Sequence, residues 1–305
     1  MTANIVISYS ELDTYRQCPL KHQWAYKERW RRPAAPDGAL AKGSLWHLVL
    51  ETHYNVLMKH ERVSPESQTA ALGESREAVT PLLVDERTGH QTETQALVEW
   101  MFEGYVEMWG ADPDWTILGV ETAFQIPLLA PDGSKSPYEL KGKIDLLILD
   151  RVTGHNWVVD HKSGANLPTQ MDLEIDDQFG LYAWAMRETG QPVLGAIHNA
   201  TRTTRNTADF PGYAGKLQPQ TVSQRNLRSF LNRTDAELTA IARDAWAVAA
   251  NAYPTGEALP LYSSPDPRQC GWKCDFKEIH LLSRKGRDAS EVLQEYGFEQ
   301  DFTRH

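Results

Sequence analysis

Apolar and polar positions are most sharply ordered between residues 138 and 164, YELKGKIDLLILDRVTGHNWVVDHKSG. Two apolar-rich runs flank RVTGH, whose glycine suits a hairpin connection, so this stretch predicts two β-strands joined by a turn. Helical periods surround it. Residues 8–30 predict two short helices, with Ser10 and Asp13 resembling a capping box and Pro19 in the first turn of the second helix. Residues 33–42 read as a Pro- and Ala-rich loop. A helix over 42–60 follows, with His47, Leu50, Glu51, Tyr54 and Met58 on one face. Residues 61–90 are polar, a helix plus a connection. Residues 91–109 predict an amphipathic helix with Leu97, Trp100, Met101, Tyr105 and Met108 on its apolar side. A strand carrying Glu121 is expected over 115–130, a helix over 169–190, a strand over 193–204, and helix again over 218–251.

Composition narrows the class. A chain of 305 residues allows one large domain or two small ones, with enough apolar content for a core. No run reaches the ~18 apolar residues of a membrane span and no signal-peptide pattern opens the chain. A soluble, cytoplasmic protein with no membrane partner is expected. The net charge of −10 argues against a protein that coats nucleic acid with an overall basic surface. It leaves room for a local basic channel: Lys27, Arg29, Arg31 and Arg32 form one basic run, and Arg202 and Arg205 could line a DNA groove. Three cysteines do not make the disulfide framework of a secreted domain.

Candidate chemistry concentrates at the hairpin. Asp145 sits inside the first strand, and Asp160 and Lys162 close the second. Side chains alternate along a strand, so Asp160 and Lys162 share a face, about 6.6 Å apart. A carboxylate in an apolar strand is costly unless it is paired or holds a cation. Two such carboxylates beside a lysine make a candidate site for Mg²⁺ or Mn²⁺, ions that favour oxygen donors. D-x-K is a short pattern, and a hairpin with solvated charges at its ends fits it too. Near the C-terminus, Cys270 and Cys274 lie close together in a segment marked by Pro and Gly, which suits a soft metal or an iron–sulfur site.

G-K-I-D at 142–145 followed by V-V-D-H-K-S-G at 158–164 resembles the PD-(D/E)XK nuclease superfamily, and within it the RecB-like branch that includes the CRISPR-associated exonucleases. Further features agree in identity and order: the Ser- and Cys-Pro-containing opening around Cys18, G-S-L-W-H at 43–47, Q-F-G-L-Y at 178–182, and the late cysteines. The resemblance implies an α/β restriction-endonuclease-like core, with a mixed central sheet flanked by helices, a helical N-terminal arm and a Cys-containing tail. It implies one nuclease domain over 1–305, with an arm at 1–40, a core at 41–205 and a helical and Cys/His segment at 206–305. Three or four central strands are expected, in the order helix–strand–strand–strand–helix–strand.

The same resemblance implies a metal held by His47, Asp145, Asp160 and the backbone carbonyl of His161, with Lys162 positioning or activating water. Gln178 and Tyr182 would hold the strand, with single-stranded DNA favoured over duplex and exonuclease over endonuclease action. Work inside a recombination, repair or CRISPR-adaptation-like process is implied, with a helicase, recombinase or adaptation-complex partner. The competing reading is a non-catalytic or partner-dependent DNA-binding subunit. Cys18, Cys270, Cys274 and His280 would hold a [4Fe–4S] cluster. Here the sequence departs from the family pattern: the first late spacing is C-x₃-C, and His280 stands where the last cysteine is expected. Zn²⁺, or no metal, remains the alternative for that set.

Overall fold

A computed structural model describes residues 4–33, 38–84, 88–204, 221–257, 260–272 and 274–302. The chain order begins β1 (Ile5–Ser8), α1 (Tyr9–Gln17), α2 (Pro19–His22), a π-helical turn (Gln23–Lys27) and β2 (Trp30–Arg31). Next come α3 (Ala39–Leu57), α4 (Pro65–Leu83), α5 (Glu93–Trp109), β3 (Trp115–Pro127), β4 (Tyr138–Asp150) and β5 (His155–Gly164). Then follow α6 (Gln170–Ile175), α7 (Asp177–Glu188), β6 (Val193–Arg202), α8 (Val222–Arg225), β7 (Asn226–Asn232) and α9 (Asp235–Ala252). The chain closes with α10 (Pro267–Trp272), α11 (Lys277–Ser283), α12 (Ala289–Glu295) and β8 (Glu299–Gln300). Two compact units emerge. One comprises Met1–Ala35, Gln125–Lys141 and Ala242–His305, the other Pro36–Phe124 and Gly142–Ile241.

The second unit is a mixed sheet flanked by helices. β4 and β5 are antiparallel, from Leu146↔Val159 to Asp150↔His155. Their turn closes where the Asp150 carboxylate accepts from the Val152 amide and the Thr153 hydroxyl, and Gly154 takes φ +73°. That left-handed backbone is the reason a glycine serves there. β5 then runs parallel to β6, with α6 and α7 forming the crossover that a parallel pair requires. β7 adds antiparallel to β6, from Gly195↔Asn232 to Thr201↔Asn226, and β3 pairs with β4. At Gly195 an added Cβ would lie 2.1 Å from the Leu231 carbonyl oxygen, so only glycine admits β7 this closely.

Both faces of this sheet are covered, which explains why Leu146–Leu149 of β4 and Trp157–Val159 of β5 are unbroken apolar runs rather than alternating ones. On one face α3, α4 and α5 bury Trp46, Leu50, Tyr54, Val79, Met101 and Phe102 against Leu146, Ile148 and Val159. α5 starts on a capping box between Thr92 and Gln95. α7 packs on β5 and β6 and buries Phe179, Ala183 and Met186.

In the first unit β1 runs parallel to Tyr138–Lys141, and β2 pairs antiparallel with β8. Early and late segments of the chain share one core, in which Trp24 and Trp30 meet Phe276, Ile279, Leu293 and Phe298. No described helix is long and apolar enough to cross a membrane.

Several elements differ from the sequence expectation. The N-cap of α1 is Ser8, whose side chain accepts from the Glu11 amide, rather than Ser10. The helix expected over 169–190 is two helices, because extended Asp176 ends α6 and caps α7 through the Gln178 amide. Within the segment expected to be helical over 218–251, Asn226–Asn232 is a strand.

Candidate metal centre

Three elements of the second unit deliver the candidate ligands. On α3, Trp46 points into the core and leaves His47 half-buried at its edge. The His47 Nδ1 lies 3.3 Å from Oδ1 of Asp145 on β4. The other oxygen of Asp145 accepts from the backbone N–H of His161, at 2.6 Å. On β3, Glu121 takes φ +49°, a left-handed conformation uncommon for a residue with a side chain. Its carboxylate pairs with Lys143. Ligating atoms of His47, Glu121 and Asp145 all lie within 4.8 Å of one another. A nitrogen and carboxylate oxygens at that spacing fit a hard divalent cation.

Asp160 stands one strand over, opposite His198 in the β5–β6 register, and is only 4 % exposed. The Lys162 ammonium lies 2.8 and 3.0 Å from its two oxygens, and the Gln178 amide donates to it at 3.4 Å. Gln178 also bonds Tyr182 one turn along α7, and the Tyr182 ring stands edge-on to Phe124. Thus His47, Asp145, Asp160, Lys162, Gln178 and Tyr182 come together. Arg202 closes β6 opposite Gly164 and joins none of these contacts, and Arg205 lies outside the described residues.

Burial and charge separate the two aspartates. Burial pushes the Asp160 carboxyl up to about 6, against the pull of the Lys162 ammonium. Burial acts on Asp145 in the same sense, but the His47 hydrogen bond and His161 outweigh it and hold its carboxyl below the usual range. Lys162 shows the reverse balance: burial opposes its charge, yet Asp160 raises the ammonium above its ordinary value. Desolvation lowers His161 to about 3, so its ring is neutral.

A buried polar network supports His161 from below. The Asn199 amide donates to the Tyr105 hydroxyl at 2.6 Å and lies 2.9 Å from His161 Nδ1. The Tyr54 ring stacks on His161 at 5.5 Å, and its hydroxyl donates to Asp112 at 2.6 Å. Arg228 bonds Asp112 and both tyrosine hydroxyls, with its guanidinium 4.0 Å from the ring centres of Trp109 and Trp115. Sequence reading missed Arg228 and Asp112, and named Glu121 without a role as ligand. Glu121 qualifies only through the local backbone turn in β3, which no spacing announces.

Cys18, Cys270, Cys274 and His280 lie in the first unit and line one cavity of about 130 Å³. All three cysteines are free and half-buried. Burial raises the Cys274 thiol, and Cys270 and Cys18 add to the rise. Among the described residues, these side chains do not close to the mutual spacing found at His47, Glu121 and Asp145.

No curated protein matches the chain. Among solved structures the chain is similar to the crystal structure of SSO0001, with 14% identity, a TM-score of 0.32, and coverage of 79% of this chain and 96% of that one. A family model, that of the PD-(D/E)XK nuclease superfamily, matches residues 6–279. That match takes in every element of the mixed sheet and both ends of the D…D-x-K arrangement, and the chain belongs to the PD-(D/E)XK nuclease superfamily.

Proposed function

We propose that the protein is a divalent-metal-dependent deoxyribonuclease of the RecB-like branch, acting as an exonuclease on single-stranded DNA in recombination, repair or CRISPR-adaptation-like processing. The observation that carries this reading is the gathering of Asp145, Asp160, Lys162 and His47 on adjoining elements. His47, Asp145 and Asp160 hold Mg²⁺ or Mn²⁺, and Glu121 joins them. The N–H and C=O of one strand residue point to the same neighbouring strand, so the His161 carbonyl faces the side on which its N–H meets Asp145. The bound cation supplies Lewis-acid activation of the phosphodiester and of water.

Each protein group then has a defined task. Asp145 is ionised at neutral pH and receives the cation without first losing a proton. Asp160 is held by Lys162 and Gln178, so its orientation is set before substrate arrives. Lys162 is cationic, which suits it to hold water or a phosphate oxygen by hydrogen bonding and to stabilise developing negative charge, rather than to remove a proton. Gln178 and Tyr182 lie one helical turn apart beside Asp160 and steady the strand.

The cysteine-lined cavity supports a cluster in the first unit. Three cysteines and a histidine lining one cavity form a donor set that suits a [4Fe–4S] centre, with Zn²⁺ or no metal as the alternatives. Digestion of DNA labelled at either end, single- or double-stranded, with Mg²⁺ or Mn²⁺ tests the reading. Stepwise shortening of single strands from one end supports it. Internal cuts replace exonuclease with endonuclease action, and cleavage seen only with an added recombination partner makes the chain a partner-dependent subunit.

A further inference from the structure

Lys143 is a second cationic side chain at the candidate metal centre, and the nuclease reading gives it no task. It lies on β4 two residues before Asp145, on the same face of the strand. Its ammonium pairs with the carboxylate of Glu121, which also offers an oxygen within 4.8 Å of the ligating atoms of His47 and Asp145. Glu51, one turn beyond His47 on α3, and Asp145 are close enough to attract the same ammonium. The Lys143 side chain is 58 % exposed and that of Glu121 only 14 %. The flexible lysine stem can therefore swing away, whereas the enclosed carboxylate stays in place. The backbone holds Glu121 there. Trp115 and Ile117 are buried at odd positions of β3, Phe124 and Ile126 at even ones, so the pleat changes sides between them. Glu121 sits within that change, at φ +49°. Irregular strand segments re-aim side chains beside active sites, and such strain persists only where the surroundings impose it.

Glu121 cannot serve two cations at full strength. Without metal, the ammonium neutralises it. Once Glu121 ligates a divalent cation together with His47 and Asp145, the ammonium beside it faces a like charge and loses its partner. It is then a free cation at the edge of a centre that receives a phosphodiester, and the backbone of a nucleic-acid strand offers it a phosphate. We propose that Lys143 occupies Glu121 in place of the cation in the metal-free protein and, once displaced, binds a phosphate of the DNA strand. An ordinary exposed ion pair would do neither: it adds little stability and competes with no ligand. The proposal rests on the nuclease reading for the cation and for the strand.

The test needs no cleavage, which keeps its failure apart from failure of the nuclease reading. Mn²⁺ is titrated by calorimetry into the metal-free full chain as wild type, Lys143→Met, Glu121→Gln and the double variant. Lys143→Met should tighten Mn²⁺ by about threefold, the strength of an exposed ion pair, because no ammonium has to be displaced. The same change made on Glu121→Gln should have almost no effect, since the contested carboxylate is gone. Binding of fluorescent oligothymidylate is then measured across salt concentrations with Ca²⁺, a cation that also takes oxygen donors. Lys143→Met should lower the slope of log affinity against log salt by about 0.7, the value for one single-strand phosphate contact, and Lys143→Arg should keep it. Lys143→Gln provides a second neutral variant should Lys143→Met fold poorly. Unchanged Mn²⁺ affinity in the folded variant, a gain that persists with Glu121→Gln, or an unchanged salt slope overturns the proposal. A wild type that binds no Mn²⁺ removes the metal centre itself, and the exchange with it.

Discussion

Asp160 is the residue at which stability and activity conflict. Its folded carboxyl sits near 6, above the ordinary value of 3.8, because burial disfavours the charged form. The unfolded chain therefore loses this proton at lower pH, and the metal-free fold loses stability as pH rises from 3.8 towards 6. The shift amounts to about 3 kcal/mol by linkage. Asp160→Asn removes the charge but weakens the pairing of Lys162, so a net gain of about 1–2 kcal/mol is expected at pH 7.5 in chelator. Thermal melts with and without Mg²⁺ check this: the cation should stabilise the wild type much more than the variant. His53 behaves in the opposite sense. It is fully buried, bonded to Ser75 and lowered by desolvation to about 4. Its contribution is complete above pH 6.5 and lost as pH falls through 4, about 3 kcal/mol in all. Replacing His53 with Gln should flatten the decline in urea-unfolding stability between pH 6.5 and pH 4, and an unchanged slope contradicts the assignment.

The elements are held in register from beneath the site. Tyr54 lies on α3, the helix of His47; Asn199 lies on β6; His161 lies on β5 between Asp160 and Lys162. Arg228 and Asp112 join them through bonds to the tyrosine hydroxyls. Arg228→Met leaves Asp112 buried without its cation, a loss of about 3–5 kcal/mol. Divalent-cation affinity measured by calorimetry on the folded variant should fall about 10–100-fold, as for other groups that orient metal ligands. A destabilised variant with wild-type affinity would make the network purely structural.

The strand pair and its chemistry were readable because alternation fixes the face shared by Asp160 and Lys162, and because β4 and β5 carry unbroken apolar runs. The i,i+4 pair Gln178 and Tyr182 was readable for the same geometric reason on a helix. β7 was not. NLRSFLN mixes apolar and polar residues with no two-residue period, and Leu231 is its only buried apolar residue. Its place depends on Gly195 across the sheet, which no local pattern in β7 contains. Asp112 and Arg228 pair across 116 residues, and such a bond exists only once the sheet has formed.

For the molecule as a whole, the proposed cluster bears on the first unit, where residues near both ends already share a core. Protein prepared without oxygen should be brown, with broad absorbance near ~400 nm. Cys18→Ser should then lower its melting temperature and bleach it. Colourless protein with one zinc keeps the shared site and changes the metal. Protein with neither metal, and with a melting temperature indifferent to Cys18→Ser, leaves three ordinary half-buried thiols.

The nuclease account stands or falls on single-turnover cleavage of end-labelled single-stranded DNA by the purified full chain. Wild type, Asp160→Asn and Lys162→Met are compared with Mn²⁺, with Mg²⁺ and with chelator. The account predicts cleavage by the wild type that requires the cation, and a loss of at least ~100-fold in each variant, both remaining folded. Cleavage that persists in chelator, or that survives in folded Asp160→Asn and Lys162→Met at the wild-type rate, contradicts it.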